Sequence, residues 1–273
     1  MPENALHEQQ IDQFVEDGYL HLEEVVPAAV VAAGQEVIWS DIGMRPDDPA
    51  SWTAPVLRVL PSDPRPFSAA FDNPRLSTAF DQVVGAGRWQ HRPHLGQFVV
   101  RLPHRAAPSD TGWHVDESFP AEGRVDTRFD YSHWRVNVLS RPRALLLLFL
   151  FSDVGPDDGP TLIRVGSHLD VPALLRPAGL KGLPFSIATR LAAQASASRP
   201  VTLATGRAGD VYLFHPFLVH AGQPVAGRNP RLVSQTPLVS EEPVILDQPA
   251  EADSPMESAV RRGLATGAVD WSL

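Results

Sequence analysis

The 273-residue chain has no cysteine. Disulfides, thiolate zinc sites, iron–sulfur clusters and cysteine nucleophiles are therefore excluded, and any metal must be held by His, Asp or Glu. Lysine is almost absent: of 23 basic residues only Lys181 is one, so a fixed cation for a buried carboxylate falls to arginine. There is no block of basic residues and the formal charge is −9, which argues against a nucleic-acid or anionic-membrane surface. The longest apolar run, Ala144 to Phe151, is too short to span a bilayer, and the opening MPENALHEQQ has no charged-then-apolar leader pattern. These absences describe a cytoplasmic protein whose partners are small molecules; nothing in the sequence speaks to oligomeric state.

Residues 1–90 read as mainly helical. Leu6, Ile11, Phe14 and Val15 have helical spacing, Gly18 stops that helix, and Tyr19 to Leu22 is extended. Pro27 opens a second helix ending near Gly43. The stretch 45–65, rich in Pro, Asp and Ser, reads as a surface connection, and Asn73 and Pro74 supply the cap and first position of another helix. From residue 94 to about 240 short β-type runs alternate with turns, such as LGQFVVRL, ALLLLFLF and RLVSQTPLV. This half reads as a β-sandwich or barrel interrupted by two segments, Phe119 to Arg143 and a partly helical 168–200. With no repeat and no flexible linker, the whole of 1–273 reads as one domain.

The chemistry concentrates in TGWHVDESFP, Thr111 to Pro120. In an extended chain residues i and i+2 share a face, so His114 and Asp116 project together while Glu117 points away. A third ligand is needed, and VYLFHPFLVHAG offers His215 and His220, of which one should face the pocket; His215 reads as an ordinary buried histidine. Two histidines and one carboxylate form the facial triad that leaves adjacent positions open on an octahedral Fe(II) for oxygen and a bidentate organic acid. The far carboxylate of such an acid, usually 2-oxoglutarate, wants a guanidinium. GRNPRLV supplies Arg228 in a turn and Arg231 at the start of a strand, so Arg231 is the one expected to point inward.

Taken together, IDQFVEDGYLHLEEVVPAAVV, GWHVDES, FSDVGPDDGPTLIRVGSHL and LFHPFLVHAG, with Arg231 eleven positions after His220, resemble the phytanoyl-CoA dioxygenase (PhyH) family of Fe(II)/2-oxoglutarate-dependent oxygenases. The resemblance covers most of the chain. It implies a double-stranded β-helix, a cupin-like jelly roll that is mainly β with flanking helices, with His114, Asp116 and His220 on iron and Arg231 on 2-oxoglutarate. Gln97 matches a position whose polar side chain reaches the active site in relatives, and His168 one that shapes a turn. Where relatives commonly carry serine or threonine two residues after the distal histidine, this chain has Gly222; that hydroxyl contact must come from elsewhere, with Thr111 and Thr161 as the candidates, or be absent.

The implied activity is a dioxygenase using Fe(II), 2-oxoglutarate and O2, hydroxylating or otherwise oxidising a small metabolite or natural-product intermediate and releasing succinate and CO2. Asp116 argues against halogenation, since related halogenases lack this carboxylate. The segment 119–143 is too long for a simple hairpin and reads as a lid whose Arg124, Arg128, Trp134 and Arg135 meet an anionic or aromatic substrate. With one lysine and no glycine-rich phosphate loop, a small or amino-acid-like substrate is favoured over a coenzyme A thioester. Two other readings use the same residues: a non-redox metal-dependent hydrolase or isomerase, and a non-catalytic cupin-like binding protein.

Overall fold

A computed structural model of the chain describes residues 6–92, 94–121, 131–139 and 143–266. In chain order the described helices and strands are α1 (Glu8–Asp17), β1 (Tyr19–Leu22), α2 (Ala28–Ile42), β2 (Val56–Val59), α3 (Arg65–Phe71), α4 (Pro74–Val83), β3 (Phe98–Arg101), β4 (Phe119–Pro120), β5 (Trp134–Val136), β6 (Leu145–Leu150), β7 (Thr161–Arg164), α5 (Val171–Leu175), β8 (Leu183–Pro184), α6 (Phe185–Ala195), β9 (Val201–Ala204), β10 (Val211–Phe214), β11 (His220–Ala221), β12 (Arg231–Leu238) and α7 (Pro255–Thr266). The helix ends follow local chemistry. Gly18 closes α1 at φ 84° and Gly43 closes α2 at φ 64°, the left-handed conformation that glycine adopts without strain. Asn73 caps α4 by accepting a hydrogen bond from the Arg75 amide.

The strands form a major antiparallel sheet in the order β1-β10-β6-β12-β3-β2 and a minor one, β11-β7-β9. Its central strand β6 explains the unbroken apolar run LLLLFL. Leu145, Leu147 and Phe149 join the cluster formed with the helices, whereas Leu146, Leu148 and Leu150 join a second cluster with Ile163, Leu218, Phe214 and Val233. Successive side chains of a strand point to opposite faces, so a strand between helices on one side and the minor sheet on the other must be apolar throughout. The result is a jelly roll whose two sheets face each other without closing into a barrel. Among the described residues no helix is long and apolar enough to cross a membrane.

Three elements differ from expectation. The stretch 45–65 contains β2, which pairs along β3 from Val56↔Arg101 to Val59↔Phe98; it was read as a connection because its proline-rich flanks mask a four-residue edge strand. Within 119–143, where a lid loop was expected, the described residues include strands: β4 pairs with β5 (Phe119↔Arg135, Pro120↔Trp134) and β5 with β8. The C-terminal α7, for which no helix was expected, packs on α1 and α5, and its buried Glu257 takes the Arg88 guanidinium.

His215 and His168 lie away from the minor sheet's interior. Their rings sit 4.9 Å apart, beside Phe14 of α1. His168 Nε2 donates to the Val15 carbonyl at 3.1 Å, and the Gly18 carbonyl accepts from the His215 amide at 2.8 Å. Gly18 is obligatory here twice over, because a Cβ would also lie 2.8 Å from Cγ of the His168 ring. Burial pushes His168 down to about 3 and His215 well below its ordinary 6.5. The unfolded chain therefore takes up protons as pH falls below about 6.5 while the folded chain does not, so this part of the stability is intact above that pH and is lost on acidification. Denaturant unfolding between about pH 7.5 and 5 should show a steeper acid loss in the wild type than in His168→Gln, by up to about 1.4 kcal/mol per pH unit; parallel profiles would contradict a neutral buried pair.

Candidate metal centre

The strand β10 does not run on through Pro216. A turn, closed by the Leu218 amide on the His215 carbonyl at 2.9 Å, separates it from β11, so His215 and His220 are freed from a shared register and face different interiors. His220 is then joined to His114 across an isolated antiparallel bridge, each amide donating to the other's carbonyl at 2.9 and 3.0 Å. The two imidazoles lie side by side with centroids 4.5 Å apart.

Each imidazole is oriented by its own strand. His114 Nδ1 is 2.7 Å from the Gly112 carbonyl, and His220 Nδ1 is 2.9 Å from that of Leu218. A carbonyl can only accept, so Nδ1 carries a proton in both rings and Nε2 is the nitrogen turned toward Asp116. His220 Nε2 is buried and has no hydrogen-bond partner among the described residues. Asp116 completes the group, its Oδ1 3.7 Å from His114 Nε2 and its Oδ2 3.7 Å from His220 Nε2. One donor atom from each of the three residues lies within 4.8 Å of the others, and this is the metal-competent group found among the described residues. Burial raises the Asp116 carboxyl, but His220, Arg143 and His114 outweigh it and hold it below its ordinary range. Burial, then the neighbouring His114, pushes His220 down to about 4. An unprotonated His220 imidazole and an ionised Asp116 carboxylate are the states a divalent metal requires of them, and the buried His220 Nε2 is the atom such a metal would satisfy.

The group opens on a cavity of about 440 Å³. Arg231, on β12, shares the parity of Val233 and so projects toward the interior cluster between the sheets. It is fully buried; Nη2 donates to Thr161 Oγ1 at 2.6 Å, while Nε has no partner among the described residues. Burial, then repulsion from Arg101, lowers its pKa to about 9, which leaves it a cation at neutral pH. Removing a guanidinium from water to face a neutral hydroxyl costs several kcal/mol unless an anion arrives to offset it.

Of the residues singled out from sequence, His114, Asp116, Arg231, Gln97 and Thr161 line this one cavity, with His220 behind the first two. Thr161, rather than the exposed Thr111, brings a hydroxyl to the arginine. Trp134 and Arg135 are not on the cavity wall. Trp134 lies opposite Pro120 on β5, and the Arg135 guanidinium donates at 2.6 Å each to the carbonyls of Lys181 and Gly182, a bond to backbone that fastens β5 to the 168–200 segment. Arg124 and Arg128 lie outside the described residues. The cavity also contains residues that sequence reasoning passed over: Arg58, Arg101, Asp110, Arg143 and Phe185. For Arg101 a signal existed, because period-two alternation from Gln97 through Val99 puts it on the same face.

The phytanoyl-CoA dioxygenase profile matches residues 14–233, from α1 to β12. The chain belongs to the phytanoyl-CoA dioxygenase family. It is thereby a 2-oxoglutarate-dependent non-haem iron dioxygenase. No curated protein matches this dioxygenase in sequence. Among solved structures its fold is similar to that of the non-heme α-ketoglutarate-dependent carbocyclase SnoK from nogalamycin biosynthesis, with TM-score 0.57 and 16% identity over 88% of this chain and 86% of that one. It is also similar to EctD from S. alaskensis with bound Fe, at 0.56 and 20% over 88% and 78%. The epimerase SnoN, in complex with Fe3+, α-ketoglutarate and nogalamycin RO, follows at 0.51 and 18% over 83% and 80%.

Anaerobic Fe(II) binding by calorimetry should weaken by more than about 100-fold in His220→Ala and in Asp116→Ala, beyond the loss expected for a change outside the ligand set. His215→Gln, with its folded fraction checked by circular dichroism, should leave the affinity within about threefold. Equal weakening by His215→Gln would mean that the metal is held elsewhere.

Proposed function

We propose that this dioxygenase oxidises a C–H bond of a small organic metabolite or natural-product intermediate, with hydroxylation as the outcome. His114 Nε2, His220 Nε2 and an Asp116 oxygen would hold Fe(II), and Arg231 would receive the distal carboxylate of 2-oxoglutarate. The observation that carries this reading is the presence, in one cavity, of a three-residue group able to hold a metal and a buried guanidinium with no anionic partner among the described residues. Bound together, iron(II), 2-oxoglutarate and oxygen supply the oxidising chemistry, with succinate and CO2 as co-products.

The chain's own contribution is placement. The Gly112 and Leu218 carbonyls fix which nitrogen each imidazole turns toward the cavity. Thr161 holds the plane of the Arg231 guanidinium, so a planar carboxylate would meet a pre-oriented fork. Asp116 fills the third seat, which supports hydroxylation over halogenation. The wall includes the apolar Phe185, at the start of α6, as well as the polar Gln97 and Gln235, a mixture suited to a small, partly polar substrate. That the structurally similar SnoK and SnoN come from nogalamycin biosynthesis supports a natural-product substrate.

Anaerobic addition of Fe(II) and then 2-oxoglutarate to the metal-free protein should produce the weak visible charge-transfer band of a chelated 2-oxo acid. Arg231→Ala should raise the half-saturating 2-oxoglutarate concentration on the order of 10- to 100-fold, as expected for losing a hydrogen-bonded charge partner. Metal binding without a band would overturn this reading in favour of non-redox hydrolase or isomerase chemistry.

A further inference from the structure

Gly222 departs from the serine or threonine common in relatives, and the structure shows what stands in its place. A Cβ built on Gly222 would overlap the Arg101 guanidinium, with Cζ 2.9 Å away, and would also lie 2.9 Å from the Asp110 carbonyl. The volume that a side chain at 222 would take is thus filled by an arginine arriving from the opposite sheet. Arg101 is 3% exposed. Its Nη2 donates to Asp110 Oδ1 at 2.8 Å, but the buried Nε and Nη1 have no partner among the described residues. Asp110 is shared, since its Oδ2 accepts from Arg58 at 2.9 Å, so one carboxylate serves two cations.

Placement decides what those idle N–H groups serve. Arg101 on β3 is the direct cross-strand partner of Arg231 on β12, and side chains of such a pair leave the sheet on the same face about 5 Å apart at Cβ. Both line the cavity. Two guanidiniums side by side repel each other, and the one carboxylate on Arg101, Asp110, is already shared with Arg58. An arriving dianion with a carboxylate at its far end relieves both at once.

We propose that Arg101 is a second carboxylate-binding residue for the cosubstrate: with Arg231 it forms a two-arginine clamp on the distal carboxylate of 2-oxoglutarate, which this chain accommodates by having glycine at 222. The proposal rests on the 2-oxoglutarate reading above. Gly222 is then the relief that lets a longer, charged donor enter from β3, and Thr161 orients the other half of the clamp.

The test compares two 2-oxo acids that share the chelating end and differ at the far end, 2-oxoglutarate and 2-oxovalerate, the latter ending in a methyl group. Binding to Fe(II)-loaded protein is measured anaerobically by the charge-transfer band, and binding to metal-free protein by thermal shift. Arg101→Gln should weaken 2-oxoglutarate on the order of 10- to 100-fold and leave 2-oxovalerate within about threefold, because only the first carries the carboxylate that the clamp holds. Gly222→Ala, whose methyl pushes the guanidinium aside without offering a hydroxyl, should show the same selective loss and decides the matter if Arg101→Gln does not fold. Equal weakening of both acids would reduce Arg101 to a structural brace for Asp110, and unchanged binding of both would also overturn the clamp. Failure of the parent reading looks different: the wild type itself then gives no band with 2-oxoglutarate.

Discussion

Two backbone hydrogen bonds between His114 and His220 set the geometry on which the proposed chemistry depends. They join a loop that follows β3 to a two-residue strand of the minor sheet, and these segments are about a hundred residues apart in sequence. Without that bridge neither imidazole has a fixed neighbour, since each is otherwise held only by a carbonyl of its own strand. With it, three donor atoms converge although no regular element carries more than one of them. The bridge also explains why Asp116 can remain partly open to the cavity: the histidines are set from behind, and the carboxylate closes the group from the front.

Around this bridge the two-sided burial of the major sheet does the positioning. Its central strands bury one set of side chains under the helices and the other between the sheets, so the parity of every residue on β3 and β12 is dictated by the cores. Arg101 and Arg231 therefore occupy interior positions for the same reason that Val99 and Val233 do. A charged residue placed there costs free energy, which the surrounding apolar burial can carry at about 25 cal/mol per Å², and the arrangement makes sense if a ligand later supplies the missing charge.

Much of this was legible in the sequence, and the exceptions have physical causes. The helix ends at Gly18, Gly43 and Asn73 are local events, as is the period-two pairing of His114 with Asp116. Arg231 could be preferred to Arg228 because a strand start and a turn differ in where they point. The edge strand β2 was missed because its existence is decided by β3, some forty residues later, and its own composition is that of a loop. Arg135 looked like a substrate ligand since a lone arginine in a polar segment gives no hint that two carbonyls of the 168–200 segment will take it. Arg101 was passed over because its meaning lies in Gly222, and an absent side chain shows its purpose only when the space it leaves is seen to be filled.

The turn from His215 to Val219 has a further consequence. Its amides and rings are gripped by the end of α1 and by the 166–168 turn: Gly18 takes the His215 amide, Ser167 Oγ takes the Val219 amide, and His168 reaches Val15. One residue later the same turn delivers His220. The N-terminal helix and the metal seat thus hang on opposite ends of a single five-residue link, and free energy gained at one end is felt at the other. Were the proposed seat loaded with a cation, mass action would stabilise the folded turn, and slow amide exchange in α1, which contributes no ligand, would become a distant gauge of whether the seat is filled.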